Sequence, residues 1–206
     1  MARFAPAVTR CTRCAIELPG GQDVCGACLR DPPPFARTIA AFDYAPPWDD
    51  LIAGFKFHAA LDLAPVFADC LVAAAWRGAA PSPSLLLPVP LSDERLRERG
   101  YNQAWELARR VGRVLKVRAD AGLLLRIRDT PHQIALPIER RAGNVRGAFA
   151  VEPRRRAELT GRDVALVDDV MPTGATFAAA ARVLLAAGAA SVQAWVVART
   201  PRPGGD

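Results

Sequence analysis

Several features that would assign this chain to a familiar functional class are scarce or missing. Histidine occurs only at His58 and His132, and lysine only at Lys56 and Lys116. The sequence contains no GxxxxGK[ST] and no GxGxxG pattern, which excludes the two best-known glycine-rich nucleotide loops. The longest apolar stretch, FAAAARVLLAAGAA, has 14 residues and includes an arginine, so it is too short to span a bilayer. MARFAPAVTRC lacks the apolar core of a secretory signal. These absences predict a soluble, cytoplasmic protein without membrane insertion.

Arginine supplies nearly all of the positive charge, and this excess has two interpretations. The formal net charge is +6 and the pI is near 9.5. Net charge alone favours a compositional bias towards arginine and alanine. The alternative is affinity for phosphate on a nucleotide, a sugar or a nucleic acid, because guanidinium groups bind phosphate bidentately. About half of the residues are hydrophobic, enough for one core and a small appendage.

Four of the five cysteines form two CxxC pairs. CTRC supplies Cys11 and Cys14, CGAC supplies Cys25 and Cys28, and ten residues separate the pairs. Two such turns can direct four thiolates at one cation, and a segment with so few large apolar residues needs a metal to fold. The spacing therefore predicts a structural zinc site without an open coordination position. A redox CxxC would need a βαβ context, which this segment lacks.

The chain divides at the proline-rich stretch RDPPP, residues 30–34. We expect a four-cysteine zinc-binding ribbon over residues 1–34, a larger domain over residues 35–200 and a disordered tail over residues 201–206. In the larger domain, continuous apolar segments such as LLLPVP, GLLLRI, DVALVD and SVQAWVVA alternate with helical segments. This alternation predicts an α/β fold, in which helices cover both faces of a central parallel sheet.

The stretch VALVDDVMPTGAT, residues 164–176, joins one of these strands to a helix. Asp168 and Asp169 are expected at the carboxyl end of a central strand, where α/β sheets bind their ligands. Thr173, Gly174 and Thr176 form the turn into the helix, where unpaired amide hydrogens and a glycine suit a phosphate group. Two carboxylates beside a phosphate site match a ribose 5-phosphate. The carboxylates can also hold a magnesium ion.

Two other interpretations of the aspartate pair remain. Paired aspartates occur in two-metal nucleases, although the adjacent Thr-Gly-x-Thr would then have no role. Alternatively, the pair is solvated and merely flanks an ordinary turn between a strand and a helix.

The motifs together resemble a known family. The 13-residue run is similar to the phosphoribosyl-pyrophosphate (PRPP) signature of the type I phosphoribosyltransferases. The segments CTRC…CGAC, GFKF, LPVPLS, RLRERGYNQA, RDTPHQIAL and RAGNVRGAF occur in the order found in the ComF family, whose members join an N-terminal zinc ribbon to such a domain. The resemblance covers most of residues 11–200 and implies the type I phosphoribosyltransferase fold.

The resemblance also implies roles for individual residues. Asp168 and Asp169 would be the catalytic residues and would bind the ribose hydroxyls of PRPP. The 5-phosphate would be held by Thr173, Gly174, Ala175 and Thr176. The pyrophosphate loop would consist of Pro88, Val89 and Pro90. Pyrophosphate charge would be neutralised by magnesium and by Lys56, Arg97 and Arg99.

A segment from about residue 127 to residue 147 would form a mobile hood over the site. Gln133, Arg141 and Asn144 match family positions there, without a role that the sequence supplies. Pro172 departs from the family, whose members commonly have threonine at this position. Because proline has neither an amide hydrogen nor a hydroxyl, one potential phosphate donor is lost. We expect phosphate binding to persist in weakened form. Pro172 counts more strongly against catalytic turnover than against binding.

Two functions from different classes follow. The first is a phosphoribosyltransferase that uses PRPP and magnesium with an acceptor the sequence does not identify. Aromatic residues between Phe42 and Phe57 could stack on an acceptor base, although a place in the core suits them better. The second is a non-catalytic protein of natural competence that binds single-stranded DNA and competence proteins. For the arginines at 154–156, solvation beside Glu152 and Glu158 is favoured over nucleic-acid contact.

Overall fold

The structure is a computed structural model that describes residues 8–128 and 147–201. The expected hood residues Gln133, Arg141 and Asn144 lie outside the described residues, as do tail residues 202–206. In the described part of the chain, none of the helices combines the length and apolar character that crossing a bilayer requires.

Four parallel strands form the central sheet of the described residues. Their order is β1 (Arg37–Asp43), β6 (Ser191–Arg199), β5 (Asp163–Met171) and β2 (Leu85–Pro88). The middle strand β5 pairs along its length with β6 and along its first half with β2. The central strands are almost continuously apolar because both of their faces are covered.

Helices cover both faces of this sheet. One face packs against α2 (Trp48–Phe57), α3 (Leu63–Arg77) and α5 (Gln103–Leu115), through side chains such as Phe55, Phe67 and Leu107. The other face packs against α6 (Ala175–Ala186), whose Phe177 and Leu184 are fully buried. The expected α/β fold with a parallel sheet between helical layers is confirmed.

One segment that was predicted as a strand of the central parallel sheet lies outside that sheet. GLLLRI supplies β3 (Leu124–Arg126), which pairs antiparallel with β4 (Phe149–Val151) outside the central sheet. Buried apolar strands occur in both kinds of sheet, so composition did not separate them. A 3-10 helix, Pro153–Leu159, follows β4. Its Arg155 is ion-paired with Asp120 and Glu158.

The cysteine-rich segment packs against the edge strand β1. It contains the short helix α1 (Gly26–Arg30) and a bridge between Arg10 and Glu17. The Thr38 amide donates to the Thr12 carbonyl at 3.0 Å, and the Thr38 hydroxyl donates to the Arg13 carbonyl at 2.6 Å. These bonds occupy backbone groups on an edge that would otherwise be open. The division of the chain after residue 34 stays a prediction.

Candidate functional site

The aspartate pair lies near the carboxyl end of β5, but not at its last residue. The strand continues to Met171 because β6 is equally long and pairs with it as far as Arg199. Both aspartates nevertheless line one cavity of about 430 Å³ at this end of the sheet. The expected location of the carboxylates is therefore correct to within three residues.

Asp169 is buried and paired with a lysine. Its side chain is 2% exposed, and Lys56 Nζ lies 3.0 Å from Asp169 Oδ2. Among the described residues, Oδ2 has no hydrogen-bond donor other than this ammonium group. Burial alone would raise the pKa of Asp169, but Lys56 and Asp168 hold that pKa below its ordinary value. The ammonium group of Lys56 therefore favours the ionised form of Asp169.

Asp168 has the opposite electrostatic setting. Its Oδ1 accepts the Asp169 amide hydrogen at 2.9 Å. Burial, and secondly the charge of Asp169, raise the pKa of Asp168 well above its ordinary value, although Lys56 opposes them. The pair thus shares one strong cation and resists a second negative charge. A ligand that brings a hydroxyl group or a metal cation to Asp168 would relieve this repulsion.

The turn after β5 brings the chain into α6. Gly174 is the N-terminal cap of the helix and has a φ of 86°, in the left-handed region. The Ala175 amide donates to the Thr173 hydroxyl at 3.3 Å. Of the turn residues, Pro172 and Thr176 line the cavity beside the aspartates, whereas Thr173, Gly174 and Ala175 are not among its lining residues. The turn therefore presents the amino end of a 12-residue helix, with its partial positive charge, to the same space.

The loop that follows β2 forms a second wall of the cavity. Val89 and Pro90 line it, whereas Pro88 is the last residue of the strand. The Val89 amide donates to the Val167 carbonyl at 2.9 Å, which fixes the loop next to Asp168. Asn102 holds the loop from the other side, because its Nδ2 donates to the Val89 carbonyl at 3.2 Å.

The cations come from α2 and from α4 (Asp93–Arg99). Lys56, Arg95 and Arg99 line the cavity. Arg97 lies on the same short helix but is not among the lining residues, so only two of the three expected cations are brought to the site. Arg99 Nη1 donates to Gln103 Oε1 at 2.5 Å.

Several residues that support the site were not predicted from the sequence. The Tyr101 hydroxyl donates to the Phe55 carbonyl and so fixes the end of α2 that carries Lys56. Asn102 also caps α5, since its Oδ1 accepts the Ala104 amide at 2.9 Å. Gln103 and Arg126 line the cavity. Tyr101, Asn102 and Gln103 belong to the GYNQ motif, and an Asn followed by an amphipathic helix could have indicated the cap.

The aromatic residues around the site divide into core and surface. Phe42 is buried and stacks on Trp48, with ring centroids 3.6 Å apart. Phe55 is fully buried as well, so neither ring is available to a ligand. Phe57 is 60% exposed and lines the cavity, with Arg99 5.2 Å from its ring centroid.

The four cysteines of the two pairs converge as their spacing predicts. Their sulfur atoms all lie within 4.8 Å of one another, and Cys14 Sγ and Cys25 Sγ are 3.7 Å apart. A tetrahedral zinc ion with Zn–S bonds of about 2.3 Å would place its sulfurs at about this separation. The Cys25 amide also donates to Cys11 Sγ at 3.3 Å, a contact that orients a thiolate ligand. The four residues fit a zinc ion, which would supply folding free energy to the segment.

Comparison with known proteins identifies relatives along nearly the whole chain. No family model matches it. The DNA utilization protein YhgH of Escherichia coli is 34% identical over 196 residues, which cover 93% of this chain and 85% of that protein. Competence protein F of Haemophilus influenzae is 32% identical over 194 residues, which cover 92% and 84%.

Solved structures also resemble this chain, at lower identity. The glutamine PRPP amidotransferase from B. subtilis, complexed with ADP and GMP, is 19% identical. The match covers 65% of this chain and 25% of that chain, with a TM-score of 0.40.

Proposed function

The chain belongs to the ComF family, which includes DNA utilization protein YhgH and Competence protein F, and we propose that its phosphoribosyltransferase-type domain binds PRPP. One observation carries the proposal. A single cavity contains two carboxylates, the amino end of a helix and the cations Lys56 and Arg99. This combination matches a ligand that has hydroxyl groups at its centre and phosphates at both ends.

The walls of the cavity suggest one orientation for the ligand. The 5-phosphate would lie at the turn of residues 173–176, where helix amides and hydroxyls donate hydrogen bonds. The ribose hydroxyls would donate to Asp168 and Asp169. The pyrophosphate would then extend towards the loop at Val89 and Pro90, within reach of Arg99. Each part of the ligand meets a group of complementary charge or hydrogen-bonding character.

Magnesium is part of the proposal because of the chemistry of the aspartates. Asp168 and Asp169 would hold it together with oxygens of the ligand, since magnesium prefers carboxylate and phosphate oxygens. The ion would neutralise charge on the leaving pyrophosphate. Lys56 already offsets the charge of Asp169, so Asp168 is the carboxylate that gains most from an added cation.

We further propose that the domain transfers the phosphoribosyl group to an acceptor. Transfer needs stabilisation of the departing pyrophosphate and exclusion of water while C1 of the ribose is positively charged. Lys56 and Arg99 would supply the first. Pro172 contributes no amide hydrogen at the turn, which weakens phosphate binding without touching the aspartates. Binding and transfer are therefore separate properties, and the experiment measures them separately.

Isothermal titration calorimetry with PRPP and magnesium tests the proposal. We expect the wild type to bind and Asp168→Asn/Asp169→Asn to lose at least about tenfold in affinity, because each charged hydrogen bond contributes about 1.5–3 kcal/mol. Asp163→Asn is the matched control, since Asp163 lies at the opposite, exposed end of the same strand. Equal affinity in the wild type and the double variant would contradict the proposal. Pyrophosphate release, measured on the same samples, separates transfer from binding.

A second candidate function is a role in DNA utilization, because the relatives carry that name or the name of competence. Two arginines favour it. Arg37 and Arg77 line another cavity, of about 300 Å³, between the cysteine segment, β1 and the end of α3, whereas Arg10 in the same wall is ion-paired with Asp43. Fluorescence anisotropy with single-stranded DNA at several salt concentrations tests this function. Binding that weakens steeply with salt is expected, and Arg37→Ala/Arg77→Ala should reduce the slope. Salt-independent binding, or no binding, would rule it out.

We also propose that the metal at Cys11, Cys14, Cys25 and Cys28 is zinc and that the protein works in the cytoplasm. Four thiols held this closely would form disulfides in an oxidising compartment, whereas a reducing one keeps them available to the metal. Zinc content of the purified protein, compared with that of Cys11→Ser/Cys14→Ser, tests the first point. One equivalent in the wild type and none in the variant is expected.

A further inference from the structure

Arg199 connects the cysteine segment to the turn at the candidate ligand site. It is the last residue of β6 and is only 7% exposed. Its Nε donates to the Cys14 carbonyl at 2.9 Å. Its Nη1 donates to the carbonyls of Met171 at 2.9 Å and Pro172 at 2.7 Å. One buried guanidinium group therefore bonds both to the backbone of Cys14, a proposed metal ligand, and to that of Met171 and Pro172, where β5 enters the turn.

Apolar side chains also connect the cysteine segment to the turn. The Phe35 and Phe177 rings meet edge to face, with centroids 6.5 Å apart. Phe35 Cζ also lies 3.7 Å from where a Cβ at Gly174 would be. Ala15, the residue after Cys14, is buried in the same cluster as these two rings and Met171. The cysteine segment thus packs directly behind the turn.

The charge of Arg199 makes this connection sensitive to the metal. A buried guanidinium group is stable only while its N–H groups are bonded, and the Cys14 carbonyl is one of its acceptors. Without zinc, the segment would lose its source of folding free energy. The Nε–H of Arg199 would then need a new acceptor. A shift of the guanidinium group would alter its hydrogen bonds to the carbonyls of Met171 and Pro172, and to that of Thr200.

We propose that Arg199 is a positioning residue that couples metal occupancy of the four-cysteine site to the conformation of the turn at residues 171–174. Its consequence for the ligand rests on the proposed function: zinc would raise the affinity for PRPP. By linkage, PRPP would then raise the affinity for zinc by the same factor. The coupling itself needs no ligand and is tested without one.

Hydrogen exchange of the full-length protein, with zinc bound and after removal by a chelator, tests the coupling. The readouts are the peptide covering residues 171–178 and, as an internal reference, the core helix α5. In the wild type we expect zinc removal to accelerate exchange in the turn about tenfold or more, as loss of a charged hydrogen bond allows, with little change in α5. Arg199→Met with zinc bound should exchange as fast as the metal-free wild type and respond weakly to zinc removal.

Two further variants make the result decisive. Arg199→Lys retains the charge but lacks the planar guanidinium group that bonds to both Cys14 and the turn, so it should show an intermediate response. It replaces Arg199→Met in the experiment if that variant does not fold. Thr38→Val is the matched control, because it removes another hydrogen bond to the cysteine segment that does not reach the turn. It should respond to zinc as the wild type does.

Three outcomes would overturn the inference. They are an unchanged turn on zinc removal, equal loss of protection in α5, and a full zinc response in the Arg199 variants. PRPP titration of the same samples is an independent measurement. Failure to bind PRPP would overturn the proposed function but would not affect the hydrogen-exchange result. PRPP affinity that is the same with and without zinc would overturn the proposed effect of zinc on ligand binding.

Discussion

Substitution of Gly174 by alanine gives the sharpest test of the turn. The residue has a φ of 86°, which an L-residue adopts at a cost of about 1–2 kcal/mol. The added Cβ would lie 3.7 Å from Met171 Sδ and Phe35 Cζ, an ordinary contact distance, so sterics within the protein add little. For a chain of this length, that cost corresponds to a fall in Tm of about 2–8 °C.

The effect on ligand binding should exceed the effect on stability. If a phosphate approaches the backbone at Gly174, a Cβ there would displace it and weaken at least one charged hydrogen bond. Loss of about 1.5–3 kcal/mol corresponds to a fall in PRPP affinity of about tenfold to a hundredfold. Calorimetry measures this change, and differential scanning fluorimetry measures the change in Tm.

Gly161→Ala is the matched control for this substitution. Gly161 also has a positive φ, of 68°, and nothing lies within 4 Å of the point that an added Cβ would occupy. It precedes β5, at the opposite end of the strand from the turn into α6. It should lower Tm by a similar amount and leave affinity unchanged. If Gly174→Ala binds PRPP as tightly as the wild type does, the phosphate is not at this turn, and the assignment of residues 173–176 is wrong.

Three other predictions use the same assays or simple ones. Arg99→Ala should weaken PRPP binding about tenfold, since it removes one charge-assisted contact, while Arg97→Ala, outside the cavity wall, should have little effect; equal losses would contradict the geometry. The hydrogen bond from Arg155, and to a lesser extent that from the Gly122 amide, lowers the pKa of Asp120 to about 2, although burial opposes this shift. The stability from this carboxylate is present above its ordinary pKa and is lost as pH falls from about 4 towards 2, so Asp120→Asn should flatten the acid limb of urea unfolding; an unchanged limb would refute this. Pro172→Thr restores a donor and should tighten PRPP binding by up to about tenfold, and weaker binding would show that the fixed φ of proline matters more.

The fold was largely predictable because its signal is local. Continuous apolar segments that alternate with helices indicate a parallel sheet, and β1, β2, β5 and β6 follow that pattern. The antiparallel pair of β3 and β4 was not predicted, because a short apolar segment carries no information about its partner. The end of β5 was placed too early for a related reason: the length of a strand depends on its neighbour, and β6 extends the pairing to Met171.

The site was predictable only where one motif contains the residues. The aspartates and the turn lie within 13 consecutive residues, and their proximity follows from the strand and helix they join. Lys56 comes from a distant helix, and its 3.0 Å approach to Asp169 depends on how α2 is held by Tyr101. Arg97 and Arg99 look equivalent in RLRERG, and only the orientation of α4 distinguishes the residue that lines the cavity.

A proline can occupy position 172 because of the way this residue is held. The contacts that fix this residue use its carbonyl, which accepts a hydrogen bond from Arg199 at 2.7 Å, and proline retains that group. What proline lacks are the amide hydrogen and the hydroxyl that would face a ligand. The carbonyl of Pro172 therefore holds the turn, whereas phosphate binding would use the amide hydrogen and the hydroxyl that proline lacks. A substitution here can lower affinity for a phosphate while leaving the turn in place, which is why affinity and stability have to be measured separately at this turn.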